Sequence, residues 1–228
     1  KRFGRMLFLP AVLLLLGSCL FLAVAGAEGI DVLAIRAAQG ETEAQVRLGR
    51  KYLFGEGIEQ NLTEAYRWLS KAAEKGSAAA QYHLGNMYAD GRGVLQDQPE
   101  AVRWFREAAR QGYADAQYAL GAAYATGTGV VRDEREAAEW YRAAADQGHP
   151  QAQHHLGVMY AGGRGGLRND ATAVIWLRKA AEQGDPAAQH DLGFLYSSGR
   201  GVPRDDGEAV KWYRKAAERG DPDAQNKL

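Results

Sequence analysis

The residues of this chain that are best suited to chemistry are histidines and a neighbouring aspartate in its second half. The set consists of His154, His155, His190 and Asp191. Imidazole and carboxylate groups are common metal ligands, so helices that brought the set together would favour a metal site. However, Tyr82 and Tyr118 occupy the same periodic position as His154 and His190. We therefore interpret this position as a half-buried ring and predict no metal site.

Other catalytic patterns are missing from the sequence. It contains no Ser-x-x-Lys, His-Glu-x-x-His or Gly-x-Ser-x-Gly, and its one cysteine, Cys19, lies in an apolar N-terminal stretch. Gly-x-Gly recurs at 55, 91, 127, 163 and 199, but neither a strand nor the lysine of a phosphate-binding loop accompanies it. We expect these glycines to turn the chain between helices, and we predict no enzymatic activity and no cofactor.

The composition favours a folded domain that does not bind nucleic acid. Of the 228 residues, 46% are hydrophobic and 25% are charged. Lysine plus arginine and aspartate plus glutamate each number 28, giving a net charge of +0 with both signs interspersed. A nucleic-acid partner requires a basic surface to neutralise phosphates, so we exclude that class.

Residues 1–27 have the layout of an export signal. Lys1, Arg2 and Arg5 precede an uncharged stretch, 6–27, that ends in the small-residue pattern Ala-Gly-Ala. We predict cleavage before Glu28 and export to the periplasm or the medium. Two alternatives stay open: retention of the stretch as an inner-membrane anchor, since roughly 20 apolar residues span a bilayer, and lipidation at Cys19. Membrane contact is expected only through residues 1–27, and only if they are not cleaved.

The histidines, Asp191 and the Gly-x-Gly glycines all lie in internal repeats, which have a period of 36 residues. Ala-Gln pairs begin at 44, 80, 116, 152 and 188, and Leu-Gly pairs begin at 48, 84, 120, 156 and 192. The five tryptophans share one column, at 68, 104, 140, 176 and 212. Such a period is the signature of a repeat architecture.

Each repeat encodes two helices, which we call A and B. Ala80, Leu84 and Tyr88 lie on one face of helix A, and an apolar face of helix B includes Ala101 and Phe105. An Asn or Asp at 61, 97, 133, 169 and 205 is followed by Glu three residues later, except at Thr172, which predicts a capping box. A glycine at 76, 112, 148, 184 and 220 ends each helix B.

One helix pair cannot enclose a core, so neighbouring pairs must stack. We predict an all-α, right-handed α-solenoid of five repeats plus a partial sixth, with a tryptophan filling the space between units. The repeats span 41–76, 77–112, 113–148, 149–184, 185–220 and, in part, 221–228; residues 28–40 form an N-terminal capping helix.

The repeat motif resembles the Sel1-like repeat, a relative of the tetratricopeptide repeat, over residues 41–228. The motif is A-x-x-L-G-x-x-Y-x-x-G-x-G-V followed by D-x-x-x-A-x-x-W-x-x-x-A-A-x-x-G, as in 80–94 and 97–112. The resemblance implies a scaffold in assembly or regulation, with helices A on the concave side. Cysteine-rich members of the family are linked to β-lactam binding or slow hydrolysis, but this chain has neither their cysteines nor a serine motif.

Positions that vary between repeats are the candidates for recognising a partner, because packing does not constrain them. On helices A the candidate residues are Arg47, Arg50, His83, Asn86, His155, Val158, Asp191 and Phe194. A groove floored by these residues suits a peptide or a partner helix. A second candidate surface consists of loop arginines, at 164, 168, 200 and 204.

The sequence thus predicts a non-enzymatic scaffold or adaptor of the cell envelope that binds a protein or peptide on helices A. The alternatives are a β-lactam-binding or slow β-lactamase-like cell-wall enzyme and a membrane-anchored regulator. The first would need a polar catalytic cluster that the sequence does not show, and the second requires residues 1–27 to be retained.

Overall fold

A computed structural model describes residues 29–227 as a continuous stack of α-helices, with no strand in that range. The helices are α1 (Ile30–Ala38), α2 (Thr42–Phe54), α3 (Leu62–Glu74), α4 (Ala78–Asp90), α5 (Gln98–Arg110), α6 (Ala114–Thr126), α7 (Glu134–Asp146), α8 (Pro150–Gly162), α9 (Asp170–Glu182), α10 (Pro186–Ser198), α11 (Asp206–Glu218) and α12 (Pro222–Gln225). A short 3-10 helix, Arg164–Gly166, precedes α9. The even-numbered helices from α2 are the A helices and the odd-numbered ones from α3 are the B helices.

From α4 to α10, each A helix packs against its own B helix and against the B helix of the preceding repeat; α2 packs against α1 and α3, and α12 packs against α11. The predicted α-solenoid is therefore confirmed. The proposed signal peptide, its cleavage before Glu28 and Cys19 all lie outside the described residues. Within 29–227, no helix combines the length and the hydrophobicity that crossing a membrane requires.

Half of the predicted capping box at each B helix is confirmed and half is wrong. The cap side chain accepts a hydrogen bond from the backbone N–H three residues later, as Asp97 does from Glu100 at 3.0 Å. The cap's own N–H, which the glutamate was expected to bind, instead donates to the carbonyl of Tyr88 at 2.9 Å. Glu100 consequently pairs with Arg103 at 2.5 Å.

Glycine is required at two kinds of position. At Gly85, in a Leu-Gly pair, a Cβ would lie 2.6 Å from the ring of Phe105, so only glycine lets helices α4 and α5 approach this closely. At Gly93, in a Gly-x-Gly loop, φ is +75° and a Cβ would lie 2.9 Å from the carbonyl oxygen of Leu62. The interpretation of these loops as turns between helices is confirmed.

The tryptophans bridge repeats as predicted, but they are less buried than expected in the middle of the stack. Trp104, Trp140 and Trp176 each pack against the core of the preceding repeat and stay half-buried, whereas Trp68 is only 7% exposed. The outer face of Trp104 is covered by the Arg103 guanidinium, 4.0 Å from the ring. Because Trp140 is only half-buried, its contribution to stability is smaller than the roughly 3 kcal/mol of a fully buried aromatic ring.

A column of buried glutamines links successive helices. Its members are Gln45, Gln81, Gln117, Gln153 and Gln189, each exposed by 7% or less. The Gln117 amide nitrogen donates to the carbonyl of Ala109 on α5 at 3.2 Å, and its oxygen accepts from Gln147 at the end of α7 at 2.7 Å. We call this column the glutamine ladder. The Ala-Gln pairs are visible in the sequence but this role is not, because the sequence does not show which group a polar residue on an apolar face will bond.

Candidate functional site

The eight predicted binding residues lie on helices α2, α4, α8 and α10, and all are exposed or half-buried. The structure brings three of them together: Val158, Asp191 and Phe194 line one cavity of about 240 Å³ between α8, α9 and α10. The other lining residues are Ala161, Gly162, Leu177, Leu195 and Arg200. We call this feature the apolar cavity.

The apolar cavity combines a hydrophobic lining with two charged side chains, Asp191 and Arg200. Leu177 and Leu195 are buried, whereas Phe194 is 46% exposed. Arg200 is held by the carbonyl of Ala161 at 2.9 Å and by the carboxylate of Asp170 at 2.7 Å. This arrangement suits a bound segment that places an apolar side chain in the cavity and its adjacent polar groups beside Asp191 and Arg200.

Asp191 connects two histidines that the sequence placed near one another. Its carboxylate lies 2.9 Å from Nε2 of His154 and 3.5 Å from Nδ1 of His190. His155 points elsewhere, since its ring stacks on Tyr141 at a centroid distance of 5.2 Å. Across residues 29–227, no group of three or more His, Cys, Asp or Glu side chains could hold a metal ion. His154 and His190 contact Asp191 on the A helices, and the rings of His155 and His190 pack against Tyr141 and Tyr213 on the B helices.

His83, Phe54 and Arg50 form a second region on the A helices, closer to the N-terminus. The rings of His83 and Phe54 meet edge to face, with centroids 6.0 Å apart. Burial and, second, the positive charge of Arg50 lower the pKa of His83 from 6.5 to about 4, against an opposing effect of Asp115. His83 is therefore neutral at physiological pH. Arg47 lies on the same face of α2 as Arg50, and Asn86 lies on the same face of α4 as His83.

His149 has a role that sequence analysis did not assign. It is the N-cap of α8, where its Nδ1 accepts from the backbone N–H of Ala152 at 3.2 Å. Its ring also stacks on Tyr118, with centroids 4.7 Å apart. Burial lowers the pKa of His149 and that of His155. The cap position, directly before Pro150, was the signal in the sequence that could have identified it.

Three of the four loop arginines in the second candidate surface are paired within the chain. Arg164 bonds Glu134 at 3.3 Å, and Arg204 bonds Asp206 at 3.0 Å. Arg200 is held as described above. These pairings neutralise much of the positive charge that an acidic partner or anionic headgroups would meet, so the A helices are the better candidate surface.

Comparison with known families identifies the repeats. The Sel1 repeat family model matches residues 42–77, 78–113, 114–149, 150–185 and 186–221. The family model therefore finds five repeats with the predicted period of 36 residues, each starting one residue later than the predicted repeat.

Two solved structures resemble the chain along most of its length. A protective antigen of uropathogenic Escherichia coli with an SLR fold is 41% identical, with a TM-score of 0.84, over 87% of this chain and 43% of that one. A Sel1 repeat protein from Oxalobacter formigenes is 37% identical, with a TM-score of 0.80, over 87% of this chain and 57% of that one. The chain thus spans about half the length of these relatives. No curated protein matches it significantly.

Proposed function

The chain belongs to the Sel1 repeat family, whose members are generally non-catalytic scaffolds for protein–protein interaction, and from that premise we propose that it binds a peptide or protein partner on its A helices. The apolar cavity is the observation that carries the proposal. An apolar side chain of the partner occupies it, between Val158 and Phe194.

Size and polarity support a side chain as the occupant. A cavity of about 240 Å³ is smaller than the roughly 300–1,000 Å³ of sites for drug-sized ligands. Asp191 and Arg200 hold a polar acceptor and polar donors beside the apolar lining, and their remaining hydrogen-bonding capacity is available to the main chain of a bound segment. A partner that extends along the row of A helices also contacts Arg50, Phe54 and His83, which lie in repeats 1 and 2.

Peptide selection on the immobilised protein tests this proposal. We expect peptides enriched from a random library to share one large apolar residue. Phe194→Glu should weaken their binding at least tenfold, because binding would then bury the new carboxylate against the apolar residue of the peptide. Ile175→Glu is the matched control. Ile175 is also apolar and 56% exposed, but it lies on α9 and outside the apolar cavity.

The control should bind the selected peptides as well as the wild type, and circular dichroism should show all three proteins equally helical. Equal loss in both variants, or unchanged binding in Phe194→Glu, would remove the apolar cavity from the proposal.

We further propose that the scaffold acts after export, in the periplasm or outside the cell. The charged start and the uncharged stretch of residues 1–27 support this location. N-terminal sequencing of the protein purified from cells should begin at Glu28. A chain that keeps these residues and fractionates with membranes would instead be an anchored regulator.

A further inference from the structure

The glutamine ladder is complete in repeats 2–4. In each, the oxygen of the buried glutamine accepts a hydrogen bond from a glutamine amide at the end of the B helix. The distances are 2.7 Å for Gln111 to Gln81, 2.7 Å for Gln147 to Gln117 and 2.8 Å for Gln183 to Gln153. The same pair of amides thus recurs in three successive repeats.

Repeats 1 and 5 depart from this pattern. In repeat 1 the oxygen of Gln45 has no hydrogen-bond partner, and Lys75, which occupies the position of the second glutamine, donates to the carbonyl of Gly40 at 2.6 Å.

In repeat 5 the buried glutamine is Gln189. Gln189 is only 3% exposed and donates to the carbonyl of Ala181 at 3.0 Å, but its oxygen has no hydrogen-bond partner. Arg219 occupies the position of the ladder's second glutamine, and its guanidinium lies against Gly184. A buried acceptor without a partner is destabilising, so a donor from a ligand would stabilise this oxygen.

A cavity of about 330 Å³ lies at this position. Its lining consists of Ala181, Glu182, Gly184, Gln189, Lys215, Glu218 and Arg219. It is distinct from the apolar cavity, with which it shares no lining residue. We call it the ladder cavity.

We propose that the ladder cavity binds a primary carboxamide, the chemical group of a glutamine or asparagine side chain. Its nitrogen donates to the free oxygen of Gln189, as the chain's own glutamines do in repeats 2–4. Its oxygen accepts from Lys215 or Arg219, and its second N–H meets Glu182 or Glu218. Lys215 and Arg219 are balanced by Glu182 and Glu218, so the lining has no formal net charge and suits a neutral polar group.

The carboxamide comes either from a residue of a partner protein or from the free amino acid, and two probes separate these sources. We would add N-acetyl-L-glutamine methylamide, and in a parallel arm free L-glutamine, to the ¹⁵N-labelled full-length protein. The side-chain amide of Gln189 is followed by NMR. Blocked methionine, which has a similar length and no N–H donor in its side chain, is the control ligand.

We expect saturable shifts of the Gln189 amide with blocked glutamine and none with blocked methionine. Arg219→Gln should reduce the affinity at least tenfold and raise Tm, since the new side chain completes the ladder by itself. Arg214→Gln, on the same helix, should leave both unchanged. Saturation by blocked glutamine indicates a residue of a partner, and saturation by free glutamine alone indicates the amino acid.

The proposal fails if neither glutamine probe shifts the amide, if blocked methionine shifts it equally, or if Arg219→Gln binds as the wild type does. A water molecule as the only occupant would produce the first of these results. None of them bears on the apolar cavity, because Phe194 takes no part in this test.

Discussion

Replacing Gly157 by alanine should lower the free energy of unfolding by about 2–3 kcal/mol. Gly157 lies in α8 where it crosses α9, and a Cβ there would stand 2.7 Å from Cγ of Leu177 and 3.2 Å from its backbone nitrogen. Leu177 is 1% exposed and its backbone belongs to a helix, so neither atom has room to withdraw. Urea denaturation followed by circular dichroism measures the loss.

Gly162 in the same helix provides the control. A Cβ at Gly162 would meet only the side chain of Arg164, at 3.7 Å, which is ordinary van der Waals contact. Gly162→Ala should therefore be neutral or stabilise the helix by a few tenths of a kcal/mol. If both substitutions cost the same, helix crossing does not explain the glycine of the Leu-Gly pairs.

The second large effect is a loss of stability in mild acid. Because the pKa of His83 is about 4 in the folded protein and about 6.5 in the unfolded chain, the unfolded chain takes up the proton first. The contribution of His83 is complete above pH 6.5 and disappears as the pH falls through 4. Its full size is about 3 kcal/mol, or about 1.4 kcal/mol per pH unit at most.

His83→Ala isolates this contribution. Alanine fits, since Ala119 occupies the same column in repeat 3. Between pH 7 and 4.5 the free energy of unfolding should fall less steeply in the variant than in the wild type. Some pH dependence should remain in both proteins, because the pKa values of His149 and His155 are also lowered. Parallel pH profiles would mean that His83 is accessible to protons in the folded state.

The sequence predicts the fold well, because each rule of the repeat is local. Asp97 caps α5 and Gly93 turns the loop before it, and both roles follow from residue type and spacing alone. What local rules miss is the pairing between repeats. The sequence gives no sign that the N–H of Asp97 bonds Tyr88 rather than Glu100, or that Gln147 meets Gln117 across 30 residues.

The candidate site is predictable only in part, for the same reason. Variation between repeats selected Val158, Asp191 and Phe194, which the structure gathers into one cavity. It also selected Asn86 and His155, which do not line that cavity, and it gave no indication that Arg200 completes it. The sequence pattern places Arg200 in a separate arginine surface, because the turn that brings the loop of repeat 5 beside α8 is a tertiary feature.

Site-specific photocrosslinking tests the central claim most directly. Benzoylphenylalanine would replace Phe194 in one sample and Ile175 in another, in cells that produce the protein. If the A helices hold the partner, irradiation should give a discrete covalent adduct from position 194 and none from position 175. An adduct from position 175 without one from position 194 would place the partner on the B helices and contradict the account.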